Sequence, residues 1–215
     1  MQSMSMNRYE EAYEKIKLAR KAVTAGNTAL ALSYIEEALA LDPGNPDAWI
    51  EKMRATGGTV EDPACREVYT AGQNAIRCAG EDEAEIERLV YALYLVRAQK
   101  LMGIAEEKLT VLKAEQEASS EAVKEETGSC EISPDEINTL DALASTHALS
   151  LILAIPDEKM AAYPELVSVV GGCVSEYEKV SDALTACLQV CGSELTDRAK
   201  ETRSRVLAKM RAKMA

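Results

Sequence analysis

His147 is the only histidine of the chain, so any histidine-based acid, base or metal mechanism depends on it alone. It lies between Thr146 and Ala148 in the most apolar stretch, where a core histidine with one hydrogen-bond partner is the expected reading. Cys187 and Cys191 stand one helical turn apart and could form two corners of a metal site. A structural zinc needs four ligands, and neither a second such pair nor a nearby histidine follows. With Cys65, Cys78, Cys130 and Cys173, they are expected to be reduced thiols used as small apolar side chains. Gly171-Gly172 lacks the further glycines and the lysine of a phosphate cradle, and neither a Gly-x-Ser-x-Gly elbow nor a His-Glu-x-x-His pair occurs. The paired carboxylates Glu36-Glu37 and Glu106-Glu107 fall on charged faces. The expectation is no enzyme: no catalytic residues, no metal and no cofactor.

The elements that carry these residues are expected to be helices. Apolar residues make up 47% of the chain, but Phe is absent, Trp occurs once, and Ala, Leu and Val supply the bulk. At 215 residues there is enough chain to bury a sizeable core. The net charge is -12 and is unevenly placed: seven Lys or Arg oppose the single acid Glu201 between Arg198 and Ala215, leaving that tail at +6 and the rest at -18. An acidic body repels phosphate backbones, so nucleic acid is an unlikely partner for it. The start, Met-Gln-Ser-Met-Ser-Met, shows no basic region followed by an apolar core. The longest uncharged run, Ala142 to Pro156, is 15 residues and too polar to span a bilayer. A cytoplasmic protein without a membrane span is expected.

A repeat organises the first third. Counting from Ala12, Leu18 and Ala19 occupy the seventh and eighth places, Gly26 the fifteenth, Ala31 the twentieth, Ile35 the twenty-fourth, Ala38 the twenty-seventh and Pro43 the thirty-second. Gly26-Asn27 suits a helix end and turn. Ala31 and Ala38 are small where two helices cross and Ile35 fills the gap between them. Asp42-Pro43 stops the second helix, and Pro46 restarts the chain at a tolerated early position. Trp49 then falls at the fourth place of a second unit beginning at Pro46. This resembles the tetratricopeptide repeat (TPR), paired antiparallel helices recurring about every 34 residues. The resemblance covers residues 12–79, one clear and one degenerate copy. Lys15 replaces the usual Trp of the first, while Lys52, Met53 and Gly57-Gly58 depart from the second. Asp62-Pro63 is expected to cap and open the next helix, with Ala64, Val68 and Ala71 repeating the small-large-small spacing.

Beyond it, Glu83 to about Glu126 follows a three-four apolar spacing and reads as one helix of about 40 residues, in which Gly103 could mark a kink or a close crossing. Ser133 is expected to cap a helix begun by Pro134 in a capping box with Glu136, running to about Ala154. Another starts near Pro164, is weakened at Gly171-Gly172 and continues through Val180, Leu184, Leu188 and Cys191, and a basic helix ends the chain. The fold expected is all-α, about eight helices: TPR-like hairpins over 1–80, packed against a helical bundle over 81–215.

The resemblance implies a protein-protein interaction module, an adaptor or scaffold binding a peptide or helix of a partner protein in a concave groove. In the repeat register, Tyr13, Ile16, Arg20 and Val23 of the first unit and Asp47, Ile50 and Arg54 of the second should face that groove. The long helix after Glu83 is the alternative occupant. Repeat proteins of this kind that grip chaperone C-termini need Lys, Asn and Asn where this chain has Ile16, Arg20 and Glu51, so no such binding is expected. The alternative function is a regulatory or nucleic-acid-associated protein acting through the basic C-terminal helix.

Overall fold

The computed structural model describes residues 2–122, 133–189 and 193–215. Ten α-helical segments and no strand occur among them, so the fold is all-α. By internal contacts the chain divides into two compact units, Met1–Gly57 with Ala64–Tyr94, and Gly58–Pro63 with Leu95–Ala215.

The first unit opens with α1 (Gln2–Thr24) and α2 (Thr28–Leu41). Gly26, at φ 73, takes the left-handed conformation that lets the chain reverse within three residues. Asn27 then caps α2, its Oδ1 accepting from the Leu30 N–H at 3.1 Å. The two helices are antiparallel: Arg8 donates to the Leu41 carbonyl at one end, Lys15 pairs with Glu37 midway, and the Asn27 N–H returns to the Ala22 carbonyl at the other. Ala31, Ile35 and Ala38 form the buried stripe of α2, the small-large-small pattern of the sequence. Asn45 caps α3 (Pro46–Ala55), accepting from the Asp47 and Ala48 N–H groups. The Trp49 indole donates to the Pro43 carbonyl at 3.1 Å and ties the turn to the helix it opens.

α4 (Cys65–Cys78) starts later than its sequence signals suggest. Asp62-Pro63 was the expected cap and first turn, but Ala64 occupies the N-cap at φ 47 without a side-chain bond. Thr59 and Asp62 instead close a small loop on each other, the Thr59 N–H donating to the Asp62 carbonyl and the Asp62 N–H to Thr59 Oγ1, each at 3.2 Å. That loop holds Asp62 two residues ahead of the N-cap position. The Cys78 thiol approaches the Pro43 carbonyl at 3.9 Å, so α4 returns antiparallel to α3. After a 3-10 turn (Gly80–Asp82), α5 (Glu83–Ala122) is a single helix of 40 residues, and the end expected near Glu126 lies outside the described residues. Its first three turns belong to the first unit: Tyr94 is fully buried, donates to the Tyr69 carbonyl at 2.9 Å, and crosses α4 at Gly72. This contact carries the first unit beyond Gly80 to Tyr94. Gly103 is neither a break nor a close crossing, since nothing lies within 4 Å of the place its Cβ would occupy.

In the second unit, Pro134–Ala142 (α6), a π-helical stretch (Leu143–Ala148) and Leu149–Leu153 (α7) follow one another without a gap. Ser133 sits at the N-cap with no side-chain bond, so the expected capping box does not form. A short α8 (Asp157–Ala162) precedes α9 (Pro164–Leu188), which runs unbroken through Gly171-Gly172 with the Gln99 side chain lying over Gly172. α10 (Ser193–Ala212) packs along α9. The core of this unit includes Leu101, Leu109, Leu140, Leu143, Leu151, Val170 and Tyr177.

Candidate functional site

The residues expected to face a groove sit on α1 and α3, the first helices of the two hairpins. These helices touch directly and run parallel: Ile16 shares an apolar cluster with Ala38 and Ala48, and further along Ala19 and Ala22 share one with Ala55. Parallel neighbours place matching positions of α1 and α3 side by side.

Four charged side chains bridge them. Arg20 Nε donates to Glu51 Oε1 at 2.8 Å, Arg20 Nη2 to Asp47 Oδ2 at 3.2 Å, and Arg54 Nη1 to the same Glu51 oxygen at 2.6 Å. Asp47, Glu51 and Arg54 follow an i, i+4, i+7 spacing and share one face of α3. The Glu51 side chain is 1% exposed, while both arginine side chains remain about two-fifths exposed. A buried carboxylate needs partners, and each guanidinium supplies a charge-assisted bond. The bond to Glu51 also raises the Arg20 pKa above its ordinary value. The cluster is electrically balanced and its two arginine side chains are partly exposed, so the surface can offer donors to oxygen acceptors of a mixed-charge ligand.

The seven expected contact residues therefore divide. Arg20, Asp47 and Arg54 meet around Glu51. Tyr13 is half exposed, with the Lys17 ammonium 4.4 Å from its ring centroid, and Val23 is half-buried beside the Ala19–Ile35 cluster. Ile16 and Ile50 are corrected: at 0% and 2% exposure they are core side chains, out of a ligand's reach. Helical register alone placed them outward; the crossing of α1, α2 and α3 turns that stripe into the seam between helices. Glu51 is the residue that sequence reasoning took only as a repulsive acid. Its signal was the gathering of two acids and a base, Asp47, Glu51 and Arg54, on one helical face.

Elsewhere the candidate chemistry disperses. Cys187 is fully buried, its thiol donating to the Leu109 carbonyl at 3.4 Å, while Cys191 lies outside the described residues. His147 is half-buried in the π-helical stretch beside a cavity that Glu61 and Asp135 also line. Among the described residues, no three His, Cys, Asp or Glu side chains gather as metal ligands, and no helix is long and apolar enough to cross a membrane. The basic tail is engaged at home: Arg203 pairs with Asp182 at 2.7 Å, Arg211 with Glu178 at 3.1 Å, and Lys213 with Asp157 at 2.6 Å.

No protein-family model matches the chain, and no curated protein matches it.

Proposed function

We propose that the first unit is a TPR-like stack of helical hairpins and that the chain is a non-catalytic adaptor, holding a peptide or helix of a partner protein on the face shared by α1 and α3. The observation that carries this reading is the parallel side-by-side placement of α1 and α3, with Arg20, Asp47 and Arg54 joined around Glu51 on their common surface. Stacked hairpins present the first helix of each pair to one side, and a mixed-charge stripe edged by Tyr13 suits a segment with both apolar and charged anchors. Within the first unit, the start of α5 covers α4 through Tyr94.

Affinity capture from the native cell tests the proposal. A Tyr13→Ala/Arg54→Glu variant should lose a partner that the wild type and a Lys200→Gln variant both retain. Capture of the same proteins by all three would refute it. Ile16 and Ile50 are unsuitable positions for such a control, because charge there attacks the core. A chaperone C-terminal peptide is expected not to bind, since Glu51 stands where its carboxylate would need a donor, and micromolar binding would contradict this.

The alternative, a nucleic-acid partner for the tail, is weakened by the ion pairs that hold α10 within the second unit.

A further inference from the structure

Three of the seven tail cations remain unaccounted for, and they are not scattered. Lys200, Arg203, Arg211 and Lys213 each have a carboxylate within ion-pair distance. Among the described residues, Arg198, Arg205 and Lys209 have none. At spacings of seven and then four residues, these three fall on one face of α10. That face borders a cleft in the second unit between α6 with its π-helical continuation, α9 and α10. The cleft encloses about 380 Å³, at the small end of the roughly 300–1,000 Å³ typical of ligand sites. A smaller groove continues from it past Ser145, Thr146 and Arg205 to Lys209.

The cleft is polarised from mouth to floor. Ile137, Leu184 and Ala199 are buried and give it an apolar floor. Arg198 and Arg205 are exposed at its mouth, with the Thr202 hydroxyl between them on the same helical face. Two acids also line it. Glu201 is exposed, whereas Asp141 is half-buried and bonded to Ser145 Oγ at 3.3 Å. Burial raises the Asp141 pKa and so works against its negative charge. The charges of Arg205 and Arg198 reach Asp141 and oppose that rise, yet neither acid forms an ion pair with the two arginines among the described residues, which leaves their guanidinium groups available to an oxyanion.

We propose that this cleft binds a small amphipathic organic anion, with the apolar body on Ile137, Leu184 and Ala199 and the carboxylate or phosphate headgroup between Arg198 and Arg205. Thr202 donates a further hydrogen bond to the headgroup, and Asp141 favours a ligand that carries a donor on its body. This site is independent of the α1–α3 surface and stands or falls separately.

The test uses the full chain and four probes: 3-phenylpropionate, phenyl phosphate, 2-phenylethylammonium and benzyl alcohol. Binding is followed by calorimetry and by amide chemical shifts. At least one anion should bind saturably, with a Kd of about 0.1–1 mM as expected for a ligand of this size. The ammonium and the alcohol should bind at least about tenfold more weakly. Preference for phenylpropionate assigns a carboxylate headgroup and preference for phenyl phosphate a phosphate one. An Arg198→Gln/Arg205→Gln variant should weaken the anion at least about tenfold, while Lys200→Gln/Arg211→Gln, which removes the same charge elsewhere on α10, should leave it within about twofold. Saturation by neither anion, equal binding of the ammonium, or equal loss in both double variants overturns the proposal. Because Arg198 and Arg205 are exposed, an unchanged circular dichroism spectrum is expected for the variant; should it fail to fold, the preference of the wild type for anion over ammonium decides alone.

Discussion

Gly72→Ala examines the contact that extends the first unit into the long helix. A Cβ on Gly72 would overlap the Tyr94 hydroxyl and come within 2.8 Å of both Tyr94 Cζ and Val90 Cγ1. Tyr94 and Val90 are both 0% exposed and have little room to retreat. Overpacking of this kind costs about 1–3 kcal/mol. Displacing Tyr94 also strains its 2.9 Å bond to the Tyr69 carbonyl, about 0.5–1.5 kcal/mol more. Against this, Ala is better than Gly inside a helix by about 1 kcal/mol. The net expectation is destabilisation by about 1–3 kcal/mol. Trp49, the single tryptophan, lies in the first unit, so its fluorescence during urea unfolding reports that unit. Tyr94→Phe removes the atom of closest overlap, so Gly72→Ala should cost about 1 kcal/mol less when combined with Tyr94→Phe than in the wild type. A Gly72→Ala protein that is unchanged or more stable would show that α4 and α5 do not cross at Gly72, and the extent assigned to the first unit would be wrong.

Ile16→Asp should unfold the first unit, since it leaves an unpaired charge in the core, whereas Tyr13→Ala should change stability by no more than about 0.5 kcal/mol; urea titration separates the two. Lys213→Met should cost about 1–2 kcal/mol, because Lys213 is 12% exposed and donates to the Ile155 carbonyl at 2.6 Å, while Asp157→Asn should be nearly neutral, its carboxylate being 84% exposed. Burial pushes the Cys173 thiol up from 9.0 to about 12, so Cys173 should resist alkylation at neutral pH. Between those values the unfolded chain has lost the thiol proton and the folded chain keeps it, so stability falls as pH rises from about 9, by up to about 1.4 kcal/mol per pH unit. Cys173→Ala should make that alkaline decline shallower in unfolding titrations.

The helices were legible wherever a local signal sufficed. Gly26-Asn27 marks the first reversal and Pro46 the restart, through turn chemistry and fixed backbone geometry, and the structure uses both. The spacing over Glu83 to Ala122 contains no breaker strong enough to interrupt a helix, and none interrupts it. Signals failed where a competing contact took the same groups. The loop closed by Thr59 and Asp62 holds Asp62 two residues ahead of the N-cap, so the cap that Asp62-Pro63 advertises does not form. The π-helical stretch at Leu143–Ala148 has no signature in residue type, since Leu, Ala, Ser, Thr and His are compatible with an ordinary helix.

The same division holds for the sites. Charge, composition and the period of small and large residues determined by themselves an all-α chain whose first helices reverse at Gly26 and restart at Pro46, because turn chemistry and helical periodicity act over a few residues. Only the tertiary structure decided that Ile16 and Ile50 are core while Arg20 and Arg54 converge on a buried Glu51, and which cations of α10 are paired. Those outcomes depend on the angle at which one helix meets another, and a helix's own sequence defines its stripe but not the neighbour that covers it.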